Sequence, residues 1–128
     1  MTDYKLCFDS SIWVGYFMRA GDLLGQLVDS HEGKVFTSAL SFYEVPRKLH
    51  ILNRNEAFIR EAVRFMRENS AVITVDEELA GKSVECSVKN KLAMADSIIY
   101  QTAMVAGAIL VTTDNDFRGL PKAQVVTV

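Results

Sequence analysis

A buried parallel strand with an acid at its carboxyl end commits a chain to a layered α/β fold, and residues 93–117, AMADSIIYQTAMVAGAILVTTDNDF, read as such a unit. Asp96 and Ser97 favour a helix N-terminus, and Ile99, Ala103 and Ala106 recur on one face with Ile98, Thr102 and Val105 beside them. Gly107 supplies the stop. Residues 108–112 are apolar up to a threonine end, as expected of a strand covered on both faces, and TDND makes an acidic turn. Asp96 thus opens a helix and Asp114 follows a strand, both at the edge where α/β sheets collect ligands. Taken singly, Asp96 is equally a helix-dipole acid, and Asp114 and Asp116 are equally turn residues.

The remaining chain repeats the alternation. Residues 4–8 (YKLCF) form a first strand ending on Asp9, after which Ser10 or Ser11 caps a helix over 12–19 that Gly21 stops. Asp9 then reads either as a capping residue or as a carboxylate placed beside helix amides at the sheet edge. Trp13, Tyr16 and Phe17 make this helix aromatic, for the core or for a partner. A second helix over 22–32 carries Leu23, Leu24, Leu27 and Val28 on one face, with Asp22 as cap and Gly33 as stop. His31, near its end, suits the helix dipole and is assigned no chemistry.

After a strand over 34–37, Thr37 or Ser38 caps a third helix to about residue 52, with Glu44 roughly two turns in. Pro46 predicts a kink or fresh start near Val45. A fourth helix over 56–69 turns Phe58, Ala62, Phe65 and Met66 inward, while Arg60, Arg64 and Arg67 face Glu56 and Glu68 as helix ion pairs. Residues 71–75 form a third strand, Asp76 caps a fifth helix ending near Asn90, and residues 124–128 form the last strand. The order βααβααβααββ predicts one α/β domain over residues 1–128, with a mostly parallel sheet between helical layers.

Composition removes several classes of function. No apolar run approaches the ~18 residues that span a bilayer, and no basic segment leads into an apolar one at the start, which points to a cytoplasmic protein without a membrane role. Cys7 and Cys86 are too few and too far apart for a disulfide framework or a zinc site. A net charge of −2 gives no global attraction to nucleic acid, so phosphate contacts need a local basic cluster or a bound cation. The densest cluster is Arg47, Lys48, His50 and Arg54, which reads as an ordinary solvated face or as a phosphate-tracking patch.

Four acids, Asp9, Glu44, Asp96 and Asp114, can converge on one sheet edge. Like charges there resist joint ionisation, and a divalent cation resolves the conflict. Oxygen-only ligation suits Mg²⁺ or Mn²⁺ better than zinc. Such an ion lowers the pKa of a bound water and stabilises charge on a phosphodiester, so nucleic-acid hydrolysis is the natural chemistry, with Thr112 placed to hold a ligand or a water.

The segments FDSSIWV with Asp9, SFYEV with Glu44, ADSIIYQTAMVAG with Asp96, and LVTTDNDF with Thr112, Asp114 and Asp116 resemble, in that order, the motifs of the PIN domain ribonucleases, in particular the small VapC-like toxins of toxin–antitoxin pairs. The resemblance covers nearly the whole chain. It implies a PIN-like three-layer α/β/α fold with a five-stranded sheet. It implies a Mg²⁺ or Mn²⁺ site made by Asp9, Glu44, Asp96 and Asp114, with Asp116 as a variable contributor and Ser10 as a hydrogen-bonding helper. It also implies endonucleolytic cleavage of an RNA substrate, a homodimer, and a VapB-like antitoxin that covers the site, often with a basic residue among the acids. Two features depart from the pattern. Thr113 stands where a basic residue often precedes the fourth acid, and Pro46 follows Glu44 closely.

Other strand-end aspartate families fit poorly. A haloacid dehalogenase-type phosphatase needs a second Asp where Ser11 stands, and a receiver domain needs an acidic pair at the first strand and a lysine after the last. The competing reading of a different class is a catalytically silent PIN-like domain that binds RNA or a protein, and the complete acid set argues against it.

Overall fold

The computed structural model describes residues 4–30 and 34–127. Its elements in order are β1 (Leu6–Phe8), α1 (Ser10–Phe17), α2 (Asp22–Ser30), β2 (Val35–Ser38), α3 (Ser41–Ile51), α4 (Glu56–Glu68), β3 (Ala71–Ile73), α5 (Glu77–Asn90), α6 (Met94–Ala106), β4 (Ile109–Thr112), a 3-10 turn (Asn115–Phe117) and β5 (Ala123–Val125). The predicted order of strands and helices holds. Readings at His31 and Gly33, and at the far end of the last strand, lie outside the described residues.

The five strands form one sheet in the order β3-β2-β1-β4-β5, and all four pairings are parallel. The order reverses between β1 and β4: the chain leaves β1 towards β2 and β3, then returns through α5 and α6 to the other side of β1. A crevice opens at such a switch point, beyond the strands' carboxyl ends. The register pairs Phe8 with Val111, so β1 and β4 end nearly level and deliver their next residues to the same place.

Alternation along the strands divides the interior into two cores. Leu6, Phe8 and Val111 join Ile12, Trp13, Leu24, Val45, Leu49, Ala62 and Met66 on the face covered by α1 to α4. Cys7 and Leu110 join Cys86, Ile99, Tyr100, Ala103 and Phe117 on the face covered by α5 and α6. The result is a three-layer α/β/α sandwich, with α6 presenting Ile99 and Ala103 inward as its periodicity requires and Val105 outward. Gly107 ends α6 in the left-handed region at φ 67°, where a Cβ is unfavourable. Both cysteines are buried and free, and burial pushes the Cys7 thiol up to about 12.

The aromatic helix α1 is mostly an interior element. Trp13 is fully buried, and its indole Nε1–H donates to Thr37 Oγ1 at 3.2 Å, tying α1 to β2. Tyr16 stacks on Phe65 of α4, and Phe17 meets the same ring edge-on. Within α4, Arg64 is the arginine that pairs among the described residues, with Glu61 and Glu68, while Arg67 lies over the Phe42 ring.

Four local expectations are corrected. Asp9, and not Ser10 or Ser11, is the N-cap of α1, so the helix starts at Ser10. Neither Thr37 nor Ser38 caps α3. The Thr37 hydroxyl serves Trp13, and Ser38 Oγ accepts from Leu40 N–H in a turn that delays the helix to Ser41. Glu44 consequently sits in the first turn of α3 rather than two turns in. Pro46 does not break α3, because a start at Ser41 leaves one intrahelical bond missing, that to the Phe42 carbonyl.

Candidate metal centre

The backbone brings Asp9 and Asp114 together before any side chain acts. Asp9 N–H donates to the Val111 carbonyl at 3.0 Å, extending the β1–β4 ladder by one bond past the strand. The Asp9 side chain, buried at 6% exposure, then collects three hydrogen bonds on one oxygen. Its Oδ2 accepts from Ser11 N–H at 3.3 Å, from the Ser11 hydroxyl at 2.6 Å and from the Thr112 hydroxyl at 2.8 Å. The other oxygen, Oδ1, takes none of these and is the one left for a ligand.

The same hydroxyls hold the turn that carries Asp114. Thr113 N–H donates to Ser11 Oγ at 3.0 Å, and Asp114 N–H donates to Thr112 Oγ1 at 2.9 Å. Asp114 in turn caps the 3-10 turn, accepting from Asp116 N–H at 2.9 Å. Ser11 and Thr112 therefore form a clasp between the ends of β1 and β4. Thr112, expected to hold a ligand or a water, is fully buried and engaged in positioning two acids.

Asp96 enters from the first turn of α6, and Glu44 from the first turn of α3. One carboxylate oxygen from each of Asp96, Asp114 and Asp116 lies within 4.8 Å of the other two. A six-coordinate Mg²⁺ separates opposite oxygens by about 4.2 Å, so this trio needs only a small closure around an ion. Asp116, the weakest candidate on sequence grounds, belongs to that tightest group. Asp9 and Glu44 share a cleft of about 700 Å³ with Asp96, which makes Asp96 the acid common to both clusters. Glu44 is turned by Ser10, whose hydroxyl lies 2.7 Å from Glu44 Oε1 and 2.8 Å from Ser41 Oγ.

Electrostatics reflect the crowding. The Asp96 carboxyl is pushed up to about 6, first by burial and then by Asp114, Asp9, Glu44 and Asp116 in that order. Burial also raises the Glu44 carboxyl, opposed by the Ser10 hydrogen bond and assisted by Asp9. A group of carboxylates that destabilise one another's ionised forms fits a divalent cation, and the donor set is oxygen alone. Cys7 lies on the sheet face away from α1 and takes no part.

Arg47 and Lys48 line the same cleft and are exposed, whereas His50 and Arg54 of the same basic run do not line it. A larger hollow of about 1160 Å³ lies elsewhere, between α1, α2 and α4, and none of the four acids lines it. Ser11 and Ser41 are site residues that sequence reasoning misses. The signal for Ser11 is its place two residues after a strand-end Asp, where an Asx-type turn brings a hydroxyl back to the carboxylate.

The PIN domain family matches residues 6–123. No curated protein sequence matches the chain. Among solved structures, a toxin–antitoxin complex from Klebsiella pneumoniae is similar with a TM-score of 0.77 and 23% identity, covering 94% of this chain and 96% of that one. A VapC toxin of Mycobacterium tuberculosis described as cleaving the sarcin–ricin loop aligns at TM-score 0.75 and 18% identity, covering 96% and 98%. A VapBC complex of Rickettsia felis bound to promoter DNA aligns at 0.71 and 13%, covering 95% and 97%. At these identities the likeness is one of fold.

The crowding and the clasp each have a measurable consequence. Asp96 binds its proton more tightly folded than unfolded, so its ionised form costs stability, a cost absent below pH 3.8 and complete above about pH 6. Discounted for its partial exposure, the cost is about 1–2 kcal/mol. In EDTA, Asp96→Asn should therefore exceed the parent in urea-unfolding stability by that amount at pH 7.5, with the difference closing by pH 4; equal stability at both pH values would contradict the combined burial and crowding of Asp96. Separately, Ser11→Ala should weaken Mn²⁺ binding about 10-fold by calorimetry, since it releases the Asp9 carboxylate and the Thr113 turn. Unchanged affinity would show that the clasp does not orient the acids.

Proposed function

The chain belongs to the PIN domain family, and from that premise we propose that it is a metal-dependent endoribonuclease, the toxin of a VapBC-type toxin–antitoxin pair. The observation that carries the reading is Asp96, a half-buried acid crowded by Asp9, Glu44, Asp114 and Asp116 at the switch point of a parallel sheet. Asp9, Glu44, Asp114 and Asp116 all disfavour the ionised form of Asp96. They make sense where a cation neutralises them.

Asp96, Asp114 and Asp116 would hold that ion, Mg²⁺ or Mn²⁺, with Asp9 Oδ1 and Glu44 as further donors to it or to its water. When bound, the ion supplies charge neutralisation for the phosphodiester and activation of water for attack on phosphorus. The chain's own groups do the rest. Ser11 and Thr112 fix the Asp9 carboxylate and the Asp114 turn, so no reorganisation is needed as charge develops. Ser10 holds Glu44 by a hydrogen bond to its ionised carboxylate, leaving Glu44 Oε2 to accept a proton from the attacking water or to bind the ion's water shell. Arg47 and Lys48, exposed at the cleft, offer positive charge to the backbone phosphates beside the cleaved one.

The partners in this reading are the RNA substrate, a VapB-like antitoxin and a second copy of the chain as homodimer. Toxin–antitoxin complexes among the fold relatives support the antitoxin. No helix among the described residues is long and apolar enough to cross a membrane.

Purified protein should cleave RNA with Mg²⁺ or Mn²⁺ and lose the activity in EDTA. Asp96→Asn, prepared identically and folded by circular dichroism, should retain about 1% or less, on the order of the loss expected when a charge-stabilising group is removed. Equal cleavage by parent and variant would reject the assigned site. A well-folded parent that binds Mn²⁺ poorly and cleaves no RNA would favour the silent scaffold.

A further inference from the structure

The cleft that holds Asp9, Glu44 and Asp96 continues past the acids into an apolar lobe. Its wall there is Val14 and Gly15 of α1 and Ala20, with the fully buried Leu24 of α2 behind them, and none of these offers a side-chain hydrogen bond. Tyr43 of α3 stands at the mouth with 66% exposure, one of the large apolar-bodied side chains that the core leaves out. It precedes Glu44 and lies one turn before Arg47, so the acid, the ring and the cation share the surface of α3 that borders the cleft. The lobe is not needed to hold an ion, and an exposed aromatic beside a catalytic cleft calls for an occupant.

We propose that this lobe is a nucleobase subsite: it receives an unpaired base of the RNA adjacent to the cleaved phosphate, with Tyr43 stacked on it. The inference rests on the endoribonuclease reading and adds to it the place where one base of the substrate sits. Several observations converge on that occupant. A phosphate at the acids carries a nucleotide on either side of it, and the cleft beside Asp9, Glu44 and Asp96 offers one of them an apolar wall. Unpaired RNA bases are recognised by stacking on aromatic rings against apolar walls, whereas bases inside an A-form duplex are out of reach. Arg47 and Lys48 line the same cleft and favour a polyanion threaded past α3. Tyr43 supplies a ring face at low entropic cost, and its exposure in the absence of ligand leaves it ready to stack.

The test uses full-length protein, Ca²⁺ in place of Mg²⁺, and a set of short single-stranded RNAs each carrying 2-aminopurine at one position. One position should be quenched on binding to the parent. Tyr43→Ala should abolish that quenching and weaken binding about 5- to 100-fold, the range of a lost base–aromatic stack. Tyr43→Phe should keep most of both, and Ala20→Phe, which fills the lobe from an exposed position, should imitate Tyr43→Ala. The proposal is overturned if Tyr43→Ala and Ala20→Phe bind and quench as the parent does. It is equally overturned if they leave RNA binding unchanged while weakening capture of the cognate antitoxin, which would make the lobe a protein site. Cleavage in Mg²⁺ is scored separately. Metal-dependent cleavage indifferent to both variants rejects the subsite and keeps the nuclease; quenching that depends on Tyr43 without any cleavage rejects the nuclease and keeps the subsite.

Discussion

Carboxylates gathered at one edge of a sheet repel one another, and the structure around β1 and β4 is arranged to hold them there. The device is a clasp of two hydroxyls. Ser11 and Thr112 both donate to one oxygen of Asp9, and the same two hydroxyl oxygens accept the backbone amides of Thr113 and Asp114. One strand-end acid and one strand-end turn are thereby fixed to each other across the switch point. Without such ties Asp9 and Asp114 could relax away from Asp96, whose carboxyl is raised to about 6 by burial first and then by these neighbouring acids. The strain is local and electrostatic, of the kind a divalent cation would relieve.

Much of the fold is legible in the sequence because its signals are local and repeated. Short apolar strands succeeded by capped amphipathic helices fix both the element order and a parallel sheet, and Gly107 and Asp76 mark boundaries by mechanisms that need no tertiary context. The features that escape are set by contacts distant in sequence. Thr37 looks like a helix cap until Trp13, twenty-four residues earlier, takes its hydroxyl, and the start of α3 then moves to Ser41. That shift changes the chemistry, because it moves Glu44 from the body of the helix to its first turn beside Ser10 and the cleft.

The site is legible as a set of acids and less so as a structure. Asp9, Asp96 and Asp114 stand at predictable ends of elements, so the sheet topology suffices to gather them, whereas Glu44 reaches a helix start only because α3 begins at Ser41. Their ranking is not set by topology. Asp116 joins Asp96 and Asp114 most closely because the Asp114 side chain caps the turn that carries it, a bond invisible until the turn type is known. Ser11 looks like a helix cap in the sequence, whereas it serves the acid that is the cap. Three of the acids also have a plain structural role: Asp9 and Asp114 cap helical turns, and Asp96 lies in a first turn. A cation site at these acids would use the same positions as these structural roles, because helix N-termini at the carboxyl edge of a sheet favour negative charge.

The central claim is that these carboxylates form a divalent-cation site. Its most direct measurement is an anomalous difference map from crystals of the protein grown with Mn²⁺. The account predicts a peak among the carboxylates of Asp96, Asp114 and Asp116, with Asp9 Oδ1 or its water completing the shell. A map without manganese there at saturating Mn²⁺, from a protein whose acids remain together, would contradict it.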